Sequence, residues 1–62
     1  MTAVRDIIKR LENDGWYQVR QRGSHRQCHH PRKTGTVTVP GHPNDILPPK
    51  TVRSILRQAG LL

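Results

Sequence analysis

Hydrophobic residues recur at helical spacing near both ends of this chain. The spacing i, i+3, i+4, i+7 is occupied near the N-terminus by Val4, Ile7, Ile8 and Leu11, and near the C-terminus by Val52, Ile55, Leu56 and Ala59. This spacing places the apolar side chains on one face of an α-helix. Thr2 is the expected N-cap of the first helix, and Gly15 its left-handed C-terminal residue. The second helix is expected to follow Pro48-Pro49 and to end at Gly60.

Between these helices the pattern is typical of strands separated by turns. Strands are predicted over residues 16–22, 25–30 and 36–39, with turns at Gly23-Ser24 and over residues 31–35. Residues 41–49, which contain Gly, Asn, Asp and three prolines, predict a loop. The order α-β-β-β-α predicts an α+β fold, in which two helices cover one face of a three-stranded antiparallel sheet. Residues 1–62 are too few for more than one domain.

Strand parity predicts which side chains face the helices. Val37 and Val39 are expected in the core, and Tyr17 and Val19 are expected to point the same way on the first strand. On the second strand either the set Arg26, Cys28 and His30 or the set His25, Gln27 and His29 points inward. Cys28 is the only small hydrophobe there, so the first set is expected inside. A bulge near Gly23 would reverse the assignment.

The opposite face of the sheet, here called the open face, is then polar and cationic. It is expected to carry Arg20, Arg22, His25, Gln27, His29, Thr36 and Thr38. The formal net charge of the chain is +7, and residues 15–44 contain no acidic residue. Such a charge pattern indicates a nucleic acid, an anionic membrane surface or an acidic protein as partner.

Several functional classes are unfavourable for this composition. No apolar run approaches the ~18 to 20 residues that span a bilayer, and no signal-peptide core follows Met1, so no membrane-spanning segment and no export signal are expected. The only cysteine, Cys28, excludes an intrachain disulfide and fits a cytoplasmic protein. A buried Cys28 thiol would have a raised pKa, which argues against covalent catalysis.

The four histidines suggest a metal site, but their spacing opposes one. Neighbouring residues on a strand point to opposite faces, so Cys28, His29 and His30 do not converge on one ion. No metal and no cofactor are therefore expected. His30 is interpreted as a turn residue packed beside Pro31. His42 is either a loop residue or a residue at the rim of the site.

Histidines among arginines suit chemistry on RNA. RNA carries its own nucleophile, the 2′-hydroxyl, so an imidazole that moves protons and cations that stabilise the phosphorane would be sufficient. Composition alone favours the simpler alternative, a non-catalytic RNA-binding module. The two alternatives differ in whether new RNA ends are produced.

The chain resembles the HicA family of toxins, which are mRNA interferases of bacterial toxin–antitoxin pairs. The similarity lies in residues 11–16 (LENDGW), 19–25 (VRQRGSH), 30–31 (HP), 37–40 (VTVP) with His42, and 51–61 (TVRSILRQAGL). The family usually has an aromatic residue where this chain has Cys28, and Gly where it has Lys50.

This resemblance implies a fold like that of a double-stranded RNA-binding domain, endoribonuclease activity, and an antitoxin partner of the HicB type. It implies that His25 is the catalytic residue. The residues expected to contact RNA are Arg20, Arg22, Ser24, Arg26 and His29. Arg26 is the weakest of these, because parity points it inward.

Overall fold

The computed structural model describes residues 1–62 as two helices and five strands. In chain order these are β1 (Thr2–Ala3), α1 (Val4–Asn13), β2 (Tyr17–Arg22), β3 (His25–His29), β4 (Val37–Val39), β5 (Ile46–Leu47) and α2 (Pro49–Gln58). The predicted α-β-β-β-α order is confirmed, and two short strands are added to it.

The main sheet is antiparallel, with strand order β2-β3-β4. Both helices pack on β4, from the side to which Val37 and Val39 point. Cys28 on β3 joins these two valines in the core, as predicted. The result is the α+β layout of a double-stranded RNA-binding domain, and it leaves the other face of the sheet without a covering layer.

The apolar stripes of the helices form most of the core. Their buried members are Val4, Ile7 and Leu11 on α1, with Ile55 and Leu56 on α2 and Ala59 at its end. Each helix ends in the double backbone hydrogen bond of a Schellman motif. In α1, Trp16 N donates to the Leu11 carbonyl, and Gly15, at φ +106°, donates to the Glu12 carbonyl.

The start of α1 differs from the prediction. Thr2 is not the N-cap, because it belongs to β1, where it pairs with Leu47 of β5. Ala3 precedes the helix instead, and the Asp6 carboxylate accepts a hydrogen bond from its backbone N–H. The β1–β5 ladder was missed because two-residue strands have no detectable period.

The parity prediction for β2 is wrong at its first half. Tyr17 and Val19 are 51% and 46% exposed, so neither belongs to the core. The pairing of β2 with β3 shifts between Gln18 and Arg20, which marks a β-bulge at Val19 rather than near Gly23. A bulge adds one residue to one strand. The residues of β2 before the bulge therefore point to the face opposite to the one that simple alternation predicts.

Candidate functional site

The tip of the β2–β3 hairpin presents His25 to solvent. Arg22 and His25 are paired directly, and only Gly23 and Ser24 separate them in the chain. Gly23 has φ +58°, and no non-glycine residue has a positive φ, as expected when glycine opens a type II′ turn. Paired residues share one face of a sheet, so the guanidinium stem of Arg22 and the imidazole of His25 leave the backbone side by side.

The open face continues from this tip along β3. Gln27 is paired with Arg20 on one side and with Thr38 on the other. Arg20, Arg22, His25 and His29 are exposed there, and Gln27 and Thr38 are half-buried. The predicted grouping of these side chains on the open face is confirmed by the strand register.

The bulge adds to this face one residue that strand parity assigned to the core. Tyr17 is paired with His29, which lies on the open face. The His29 Nε2 atom is 3.1 Å from the Thr36 hydroxyl oxygen, within hydrogen-bond distance. No residue type between Tyr17 and Arg22 signals a bulge, so the sequence offered no sign that Tyr17 would join the site.

Two of the expected RNA contacts have different surroundings. Arg26 pairs with Gln21 and Val39 on the face opposite to His25, and its guanidinium donates to the Gly41 carbonyl at 3.2 Å. It is therefore not part of the open face. Ser24 is half-buried within the hairpin turn and precedes His25 directly.

His30 has a structural environment. Its side chain is 8% exposed, and its ring meets the Trp16 ring edge to face with centroids 5.2 Å apart. Its Nδ1 atom accepts hydrogen bonds from the backbone N–H groups of Arg32 and Lys33, so Nε2 carries the proton that is donated to the Asp14 carbonyl. His30 therefore supports the fold, and the packing partner found for its ring is Trp16.

Lys33 is also occupied within the fold. Its ammonium lies 2.6 Å from the Asp14 carboxylate and 2.9 Å from the Ala59 carbonyl oxygen. It thus links the end of α1 to the end of α2. The hydrogen bond from Lys33 lowers the pKa of the Asp14 carboxyl. Of the basic residues in the acid-free segment, Lys33 therefore contributes to stability rather than to the open face.

The remaining chemical groups do not assemble a second reactive centre. Burial raises the pKa of the Cys28 thiol, which disfavours the nucleophilic thiolate. No three His, Cys, Asp or Glu side chains lie close enough together to hold a metal ion. His42 is exposed, in a loop where its backbone N–H donates to the Asp45 carboxylate.

An apolar groove of about 590 Å³ lies apart from the open face, between α2 and the β1–β5 ladder. None of its lining residues belongs to the open face.

No helix in the structure has the length and apolarity required to span a membrane.

A protein-family model matches nearly the whole chain. The family model for the HicA toxin of bacterial toxin–antitoxin systems matches residues 4–61. The match thus covers both helices and the whole three-stranded sheet. No individual curated protein matches the chain significantly.

Proposed function

This chain belongs to the HicA toxin family and is therefore a toxin of a toxin–antitoxin system, and we propose that it is a metal-independent endoribonuclease that cuts mRNA in the cytoplasm. In this proposal His25 is the general acid–base. The observation that carries it is the position of His25, which is exposed at the hairpin tip and paired with Arg22 on a face free of helices.

The proposed reaction uses the 2′-hydroxyl of the substrate as nucleophile. His25 accepts the proton of this hydroxyl, and the 2′-oxygen forms a bond to the adjacent phosphorus. The bond from phosphorus to the 5′-oxygen of the next nucleotide breaks, and that oxygen receives the proton from the protonated His25, which returns the imidazole to its starting form. The products are a 2′,3′-cyclic phosphate and a 5′-hydroxyl end, so no outside nucleophile is consumed.

Arg22 and Arg20 supply positive charge for this reaction. Negative charge builds up on the phosphoryl oxygens in the transition state, where fixed cations are most effective. Arg22 lies beside His25, and Arg20 is two residues further along the same face of β2. Ser24 supports the turn that sets the direction of the His25 side chain.

His29 is unsuitable as the second proton-transfer group of the same step. It lies four residues from His25 on the same strand, which corresponds to about 13 Å between their backbones. An acid and a base acting on one phosphodiester must both come within hydrogen-bond distance of its oxygens. In the proposed mechanism His25 therefore handles the protons at the cut, and His29 contacts RNA elsewhere on the open face.

An antitoxin partner follows from the family, and we infer that it is of the HicB type and covers His25. His25 is exposed at the hairpin tip, where a binding partner can cover it directly. A partner with acidic side chains would neutralise the open face while excluding RNA from it.

Incubation of the purified protein with RNA in EDTA tests the proposed activity. We expect cleavage that leaves 2′,3′-cyclic phosphate ends, and a loss of about 100-fold or more in rate for His25→Ala. The matched control is His42→Ala, which removes an exposed histidine from a loop outside the open face. Wild-type cleavage by His25→Ala would refute the catalytic assignment, whereas retarded but intact RNA with the wild-type protein would establish the binding module instead.

A further inference from the structure

Tyr17 is an exposed aromatic residue on the same face as the proposed catalytic histidine. We propose that Tyr17 and His29 form a binding site for an unpaired base of single-stranded RNA, a few nucleotides from the cut. This inference rests on the proposed function in so far as RNA is the ligand. The inference adds that the substrate is single-stranded RNA, because the site requires a base that is not paired in a duplex.

The β-bulge at Val19 is the feature that creates this site. Without it, Tyr17 and Arg20 would point to opposite faces, because they lie at positions i and i+3 of a strand and side chains alternate in direction. The observed register pairs Tyr17 with His29 and Arg20 with Gln27, which puts both on the open face. Bulges near functional sites commonly redirect a side chain in this way.

The chemistry of the two side chains suits a nucleobase. Tyr17 is 51% exposed, whereas Trp16, the only other aromatic residue of the Phe, Tyr and Trp group, is 2% exposed. An exposed aromatic ring on a sheet stacks on bases whose faces are free. His29 is the cross-strand partner of Tyr17, and its imidazole lies within hydrogen-bond distance of the Thr36 hydroxyl. In a duplex the neighbouring bases cover those faces, so a single strand is the ligand that fits.

Three consecutive cross-strand residue pairs of β2 and β3 form a row along the open face. They are Arg22 with His25, Arg20 with Gln27, and Tyr17 with His29, spaced by about 7 Å each along β3. The first pair would hold the reacting phosphate. The guanidinium of Arg20 would bind a following phosphate, and the last pair would stack a base. A strand of a few nucleotides running along β3 meets all three pairs.

Binding measured without cleavage separates this site from the catalytic one. The probe is a short fluorescein-labelled single-stranded RNA, and the comparison is the same strand annealed to its complement. In a His25→Ala background, we expect Tyr17→Ala to weaken binding of the single strand by roughly 5- to 100-fold, the range spanned by one base–aromatic stack. Binding of the duplex is expected to change by less than about 2-fold.

Two control variants make the result specific. Tyr17→Phe keeps the ring and is expected to bind like the parent. Gln18→Ala alters the same strand on the opposite face, since Gln18 is paired with Cys28, and it is expected to leave affinity unchanged. Circular dichroism of each variant establishes that the fold is retained.

A scan with abasic nucleotides locates the base. An abasic nucleotide at one position near the cut is expected to weaken RNA binding by the parent His25→Ala protein. The same abasic nucleotide should not weaken binding further when Tyr17 is also replaced by alanine, because both changes remove the same base–aromatic contact. Unchanged single-strand affinity in Tyr17→Ala, or an equal loss for the duplex, would overturn the inference. Tyr17-dependent binding by a wild-type protein that cuts no RNA would instead refute only the nuclease.

Discussion

The His30 imidazole donates a hydrogen bond from Nε2 to the Asp14 carbonyl oxygen, 2.6 Å away. Asp14 caps α1, and His30 follows β3, so this bond joins the first helix to the end of the central strand. His30 thus differs from the other three histidines, because the side chains of His25, His29 and His42 are exposed. One of the four histidines therefore supports the fold, and a different one is proposed to act on RNA.

Substitution of His30 by alanine is expected to destabilise the protein strongly. The change removes the packing on Trp16 and leaves the backbone N–H groups of Arg32 and Lys33 and the Asp14 carbonyl without their partner. We expect a loss of about 3 kcal/mol in the free energy of unfolding, measured by urea denaturation. His42→Ala is the control and should remain within about 0.5 kcal/mol of wild type. Equal stability of the two variants would contradict the structural role of His30.

A methyl group at Gly15 is expected to disturb the same contact. Its Cβ would lie 2.8 Å from His30 Nε2, and the residue has φ +106°. Gly35, at φ +90°, is the matched control, because a Cβ there would have no neighbouring atom within 4 Å. Gly35→Ala should cost about 1 kcal/mol for its backbone conformation, and Gly15→Ala about 1 to 2 kcal/mol more for the clash. Thermal melting of both variants measures the difference, and a Gly15→Ala protein as stable as Gly35→Ala would rule out the close approach.

The Asp14–Lys33 contact predicts part of the acid sensitivity of the fold. Lys33 lowers the pKa of Asp14 below its ordinary value of 3.8, so the unfolded chain binds this proton more tightly than the folded one. The stabilisation is present above pH 3.8 and is lost as the pH falls through the lower pKa of the folded state. Asp14→Asn is therefore expected to be less stable at neutral pH and to lose less stability in acid. Urea titrations over a pH series test this, with the surface variant Glu12→Gln as control; a parallel decline for Asp14→Asn and wild type would contradict it.

The two faces of the sheet predict different roles for Arg22 on β2 and Arg26 on β3. In a His25→Ala background, Arg22→Gln should weaken RNA binding and reduce the slope of log affinity against log salt by about 1, because one phosphate contact is lost. Arg26→Gln should leave that slope unchanged, since Arg26 lies on the opposite face and donates to the Gly41 carbonyl. Fluorescence anisotropy at several salt concentrations measures both slopes. An equal effect of the two substitutions would show that the face of the sheet does not select the RNA contacts.

Much of the architecture could be predicted from periodicity alone. The apolar stripes of both helices, the Schellman glycines Gly15 and Gly60, and the buried pair Val37 and Val39 follow from local spacing. The position of His25 on the open face follows too, because Cys28 is the only small hydrophobe on its strand. These features depend on which side chains are buried away from water. The hydrophobicity of each residue and its spacing along the chain are enough to predict this.

The register between strands is a property of pairs and could be decided only by the tertiary structure. The bulge at Val19 turned Tyr17 from an expected core residue into a member of the open face, and no local signal marks it. Likewise, the local sequence does not distinguish Lys33 from a free cation, because the groups that its ammonium contacts belong to Asp14 and Ala59, which are distant in sequence. The sequence thus determined the amphipathic elements and the acid-free segment. Packing decided which basic and aromatic side chains share a face with His25, because facing depends on partners that the local pattern does not contain.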